Sequence, residues 1–198
     1  MKPANRTSSV AVVVLAAWLL FAIVFSALGV VRAMRAPLPQ VLLGVLVLGL
    51  VVAGFVPAHT RLWLRSIPLS WLVALHLTRF VGVYFLVLYG AGRLPFAFAV
   101  PGGIGDIVAA MGALYLLLQA RVAAVPSWQY VAWNLFGLLD ILWVVVTAAR
   151  SALSQPGSMA ELLILPLSLL PTYVVPLIIF SHIVVFWRLA DRSGVVAA

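Results

Sequence analysis

Apolar residues fill this chain in long runs, and the short stretches between them hold most of its arginines and many of its prolines. A helix needs about 20 mainly apolar residues to cross a bilayer. On that scale the runs predict six transmembrane helices: Val10–Val31, Leu38–Val56, Ile67–Gly90, Ile104–Ala120, Ser127–Ala149 and Pro171–Trp187. The expected fold is an all-α membrane bundle, a single transmembrane domain over residues 1–198. Residues 94–103, before the fourth helix, are apolar but interrupted by Pro95, Pro101, Gly102 and Gly103. That segment reads as a re-entrant or interfacial piece. Further on, Pro166, Pro171 and Pro176 interrupt the approach to the sixth helix. Proline removes an intrahelical hydrogen bond, so the chain is expected to enter there as a turn and become helical later.

Composition settles the solvent. Apolar residues make up 66% of the chain and charged residues 8%. A soluble fold of this size would leave roughly a third of its unfolded surface accessible, too much to reconcile with so few polar groups. Lipid is therefore the expected surrounding and the bilayer the first partner. The run Val10–Val31 exceeds the apolar core of about 7–15 residues in a secretory signal, and reads as a retained helix.

The net charge of +8 would suggest nucleic acid in a soluble protein. Here most of the basic residues stand at the ends of apolar runs, where membrane proteins place them. Anionic lipid headgroups account for them, and no nucleic-acid partner is expected. With the N-terminus in the cytoplasm, that side holds Lys2, Arg6, Arg61, Arg65, Arg121, Arg188 and Arg192, and the other holds Arg32, Arg35, Arg93 and Arg150. The bias predicts both termini inside. Cysteine is absent, which removes thiolate catalysis, Cys-ligated zinc and iron–sulfur clusters together.

Charges inside the apolar runs carry the candidate chemistry. His76 and Arg79 lie near the middle of the third run, and an ionisable residue at that depth usually faces a bundle interior or a polar cavity. At about 1.5 Å per residue from the cytoplasmic ends, Arg79, Asp140 and Asp106 lie about 18, 20 and 21 Å deep. His76, Asn134 and His182 follow at about 14, 10 and 8 Å by the same measure. One guanidinium thus shares a layer with two carboxyls, and a proton on one carboxyl would balance the charge. A carboxyl that exchanges a proton, with histidines at a second depth, has the make-up of a proton relay.

Simpler roles compete with that reading. Arg79 and Asp140 suit a structural pair between the third and fifth helices. Asp106, after Pro101, Gly102, Gly103 and Gly105, suits a cap at a helix start, and the same glycine-rich segment suits backbone binding of an anion. Ala109, Ala110 and Ala113 share a face with Asp106, and small residues let another helix approach closely. His76 and His182 are candidates for axial ligation of a haem b, against which stands their difference in depth. His59 is expected in a solvated loop. With three histidines and no cysteine a dedicated transition-metal site is not expected. Ser181 adjoins His182, but helical neighbours point about 100° apart, and neither a GxSxG nor an HExxH motif occurs. Enzymatic hydrolysis is accordingly not the expected activity.

The stretch from Arg79 to Leu86, the segments Gly92–Ala99 and Pro101–Asp106, the stretch from Asn134 to Asp140, and Pro171–Pro176 with His182 together resemble a pattern from small bacterial inner-membrane proteins that have no assigned activity. The resemblance implies a bacterial inner-membrane location and one integral unit, and carries over no catalytic role. The sequence leaves three expectations of function. One is a proton-linked carrier of a small solute that uses His76, Arg79, Asp106, Asn134, Asp140 and His182. Another is a haem-binding electron carrier using His76 and His182. The last is an accessory subunit whose ion pair serves packing alone, beside a membrane-protein partner or a second copy.

Overall fold

Prolines punctuate this chain as helix starts. Pro57, Pro68, Pro95 and Pro126 each stand in extended backbone immediately before a helix, where the fixed φ and the missing N–H do no harm to the hydrogen-bond ladder. A computed structural model describes residues 3–196, with side chains over 7–191. Lys2, Arg6 and Arg192, which entered the charge count, fall outside the described side chains. The elements are α1 (Pro3–Ala27), α2 (Leu38–Phe55), α3 (Ala58–Ser66), α4 (Leu69–Ala74), α5 (Val81–Gly90), α6 (Phe96–Val122), α7 (Ser127–Ser154) and α8 (Val175–Val196). A tight 3-10 turn, Leu75–Phe80, joins α4 to α5. The described residues are all-helical, with six helices long and apolar enough to cross a membrane: Thr7–Ala27, Leu38–Phe55, Leu69–Gly90, Phe96–Val122, Ser127–Ser154 and Leu170–Asp191. This is the make-up of a multi-pass membrane protein.

The contacts divide the chain into two compact units. One runs to Ile67 and takes in Met159–Phe180. Within it, α3 is a short amphipathic helix, with Leu64 buried and Arg61 and Arg65 exposed. Thr60 Oγ1 donates to the Ala53 carbonyl at 2.9 Å, and Trp63 Nε1 donates to Ser8 Oγ at 3.0 Å, tying α3 to α2 and α1. His59 therefore sits on a helix and not in a loop, although it is exposed as expected. The α3 sequence is too short and too polar to register as a span, and its position was not evident from hydropathy. Trp18 packs edge-on against Tyr173 at 4.8 Å between ring centroids. Beside them lies an almost wholly apolar cavity of about 140 Å³, lined among others by Phe21, Phe25, Met34 and Thr172. The proline-rich approach is a series of turns up to Leu169, then one wide π turn, Leu170–Val174, before α8. Pro176 has no N–H to donate to the Thr172 carbonyl, and a widened turn is the usual accommodation.

The other unit is Pro68–Ser158 with Ser181 onward. Gly92, at φ +70, ends α5, and the Arg93 N–H reaches back to the Leu88 carbonyl at 2.8 Å. The expected re-entrant piece at residues 94–103 is instead the beginning of α6, which runs unbroken through Pro101. Its glycines, read as a turn, are packing positions. A Cβ on Gly82 would collide with the Gly103 carbonyl oxygen, and one on Gly103 would lie 2.8 Å from the Gly82 carbonyl oxygen. The α5 and α6 backbones thus meet directly. Gly105, Ala109, Ala110 and Ala113 continue the buried stripe. Trp133 of α7 covers it, with Nε1 donating to the Ala109 carbonyl at 2.9 Å.

Candidate functional site

Local helix geometry puts His76 and Arg79 side by side. Both lie in the 3-10 turn, where about three residues make a turn and side chains at i and i+3 eclipse. Thr78 Oγ1 donates to the Leu75 carbonyl at 2.7 Å, a side-chain bond of the kind that competes with regular α-helix. Both side chains are almost wholly buried, at 0% and 1% exposed.

Arg79 spreads its guanidinium over three acceptors. Nε donates to Asp106 Oδ1 at 2.7 Å, Nη1 donates to the Gly137 carbonyl at 2.8 Å, and Nη2 donates to Asp140 Oδ2. Two carboxylates from α6 and α7 therefore meet one cation from the third span. Asp106 is buried, whereas the Asp140 side chain keeps 11% of its surface exposed. The Asp140 carboxylate fills the place a Cβ on Gly105 would occupy, so glycine at 105 is a condition of the cluster. Asp106 is not a cap, because α6 begins at Phe96 and Asp106 lies well inside it. For the same reason Gly102, Gly103 and Gly105 do not offer a loop of free amides to an anion. The expected Arg79–Asp140 pair is one arm of a three-membered cluster.

A second group adjoins the first. Asn134 Nδ2 donates to the His182 carbonyl at 3.0 Å, while its Oδ1 lies 2.7 Å from His182 Nδ1. His76 Nε2 lies 2.8 Å from Ser181 Oγ. The two imidazoles touch, with ring centroids 4.3 Å apart and planes tilted by 55°, and Trp133 stands edge-on to His76 at 4.8 Å. Sequence depth had separated these histidines by several ångströms. The span that carries His182 extends to Asp191 and not Trp187, and the one that carries His76 begins at Leu69 and not Ile67, which at about 1.5 Å per residue narrows the difference to about 3 Å.

All six candidate residues thus lie in one unit, in two adjacent groups. Two contributors had no sequence signal: the Gly137 carbonyl, because backbone groups carry none, and Trp133, because its type is ordinary in membrane helices. Ser181, weighed only against its neighbour His182, instead meets His76. Among the described residues no group of three or more His, Cys, Asp or Glu side chains could hold a metal ion.

Residues 36–190 match a family model described as Domain of unknown function (DUF8737), a stretch that contains every residue of both groups. No curated protein and no solved structure matches the chain.

Proposed function

The chain belongs to that family, and we propose that it is a proton-linked carrier of a small solute in a bacterial inner membrane, with the Arg79 cluster as its proton-binding centre. The observation that carries this reading is the charge count. One guanidinium is bonded to two carboxylates inside membrane spans, and a cluster that served packing alone would be best neutral, since uncompensated buried charge is costly. One bound proton makes the cluster neutral. Asp140 is the group that exchanges it, because it alone of the three keeps an exposed edge. Interrupted helices give a carrier its moving parts, and the 3-10 turn at Leu75–Phe80 and the π turn at Leu170–Val174 are two such interruptions. In the sequence, the excess of Lys2, Arg6, Arg61, Arg65, Arg121, Arg188 and Arg192 over Arg32, Arg35, Arg93 and Arg150 supports both termini in the cytoplasm.

Haem between His76 and His182 draws no support from the rings' contact: an iron held from both sides would stand where they touch. Proton carriage is tested in liposomes containing a pH-sensitive dye, with a potassium diffusion potential as the driving force. Wild-type protein is expected to admit protons and Asp140→Asn is expected not to. Equal entry through both proteins, with the variant folded, would leave the cluster as a packing device of an accessory subunit.

A further inference from the structure

Asn134 fixes the proton on His182. The His182 backbone carbonyl can only accept, so the Asn134 amide nitrogen must face it, and the amide oxygen must face the ring. That oxygen is an acceptor, which places the imidazole hydrogen on Nδ1 and leaves a bare lone pair on Nε2. His182 is 0% exposed and its Nε2 has no hydrogen-bond partner. Buried acceptors left without a partner are uncommon and costly. This one borders the charged cluster: a Cβ on Gly137 would lie 3.2 Å from both His182 Nε2 and Arg79 Nη1. The two groups approach each other across the bare Cα of a glycine.

We infer that His182 Nε2 is a second proton-binding atom of this site, taking up the proton that Asp140 releases. The inference rests on the cluster's proposed role as a proton-binding centre. In the transfer the Asp140 O–H bond breaks and an N–H bond forms at Nε2; the acid becomes a carboxylate and the imidazole an imidazolium. Arg79 and His76 approach the ring from the third span and Asn134 from α7, while Asp140 of α7 and Asp106 of α6 are joined to it through the Arg79 guanidinium. With the proton on Asp140, Arg79 and Asp106 cancel. After transfer, Arg79 and the imidazolium together balance both carboxylates, so the site remains neutral at either position. The Asn134 bond to Nδ1–H persists throughout and holds the ring in place. His76 touches His182 and has its own unpartnered Nδ1, which makes it the next group in line.

The test uses nitrogen-15 histidine in the full chain in nanodiscs. Three histidines make assignment direct, with His59→Gln and His76→Gln identifying two of them. In wild type, His182 is expected to show the Nδ1–H neutral form in alkaline buffer and to become imidazolium on acidification. At the wild-type midpoint, Asp140→Asn is expected to lower the ratio of imidazolium to neutral signal by about tenfold, a change of about one pK unit. Asp106→Asn removes the same charge and is expected to act alike, so the test survives misfolding of one variant. A neutral ring at every pH, or a titration indifferent to both substitutions, would overturn the inference. Proton entry into liposomes without a His182 titration would leave the carrier standing and remove the relay. A coupled titration without entry would keep the two-atom proton site and remove carriage.

Discussion

Arg79 is the residue whose loss exposes the most unfavourable charge. Arg79→Ala would leave Asp106 and Asp140 facing each other without a cation, at an expected cost of about 3–5 kcal/mol, read by unfolding in mixed micelles. Arg79→Lys is expected to recover less than half of this. An ammonium lacks the planar fork that serves three acceptors at once, and the three acceptors here lie in different directions. Asn134→Leu should behave differently, leaving the Arg79 bonds intact while releasing the His182 ring from its single tautomer. Its signature is a mixture of Nδ1–H and Nε2–H signals with the bulk fold retained. At this scale the sequence was informative wherever a charge interrupted an apolar run, as at His76, Arg79 and Asp140. It was silent on acceptors such as the Gly137 carbonyl.

Glycines separate into two kinds at the scale of the helices. Gly82 and Gly105 stand where a methyl group would strike the Gly103 backbone or the Asp140 carboxylate. A methyl group on Gly44 or Gly49 of α2 would meet nothing within 4 Å. Gly82→Ala is expected to force α5 away from α6 and destabilise by about 1–3 kcal/mol. Gly44→Ala is expected to be neutral, or to stabilise by up to about 1 kcal/mol through helix propensity. Thermal unfolding of the pair compares them. This distinction also explains which elements were legible. Five spans were placed within a few residues by apolar length alone. The fourth was cut short at Ile104 because Pro101, Gly102 and Gly103 have the composition of a turn. Inside a membrane the same residues are tolerated in helices, and their small size is what lets α5 reach α6. The interruption at Leu75–Phe80 was invisible for the opposite reason: its residues are ordinary helix residues, and the departure from α geometry lies in the hydrogen bonding around Thr78.

For the molecule as a whole, the absence of cysteine makes orientation directly measurable, since any introduced thiol reports alone. With both termini inside, Ala91→Cys and Ser154→Cys are expected to react with an impermeant maleimide on intact cells. Ser66→Cys and Ala123→Cys are expected to react only after permeabilisation. The reverse pattern would invert the proposed orientation without touching the site. The reciprocal bonding of Asn134 and His182 bears on assembly as well as on protons. Sliding α8 one turn along α7, about 5.4 Å, would bring Ile178 or Phe186 opposite Asn134, and neither side chain can donate to the amide oxygen. A register shifted by one turn therefore leaves the amide oxygen and the imidazole without each other. The pair works as an address: hydropathy carries the last helix into the membrane, and one amide tells it where to stop.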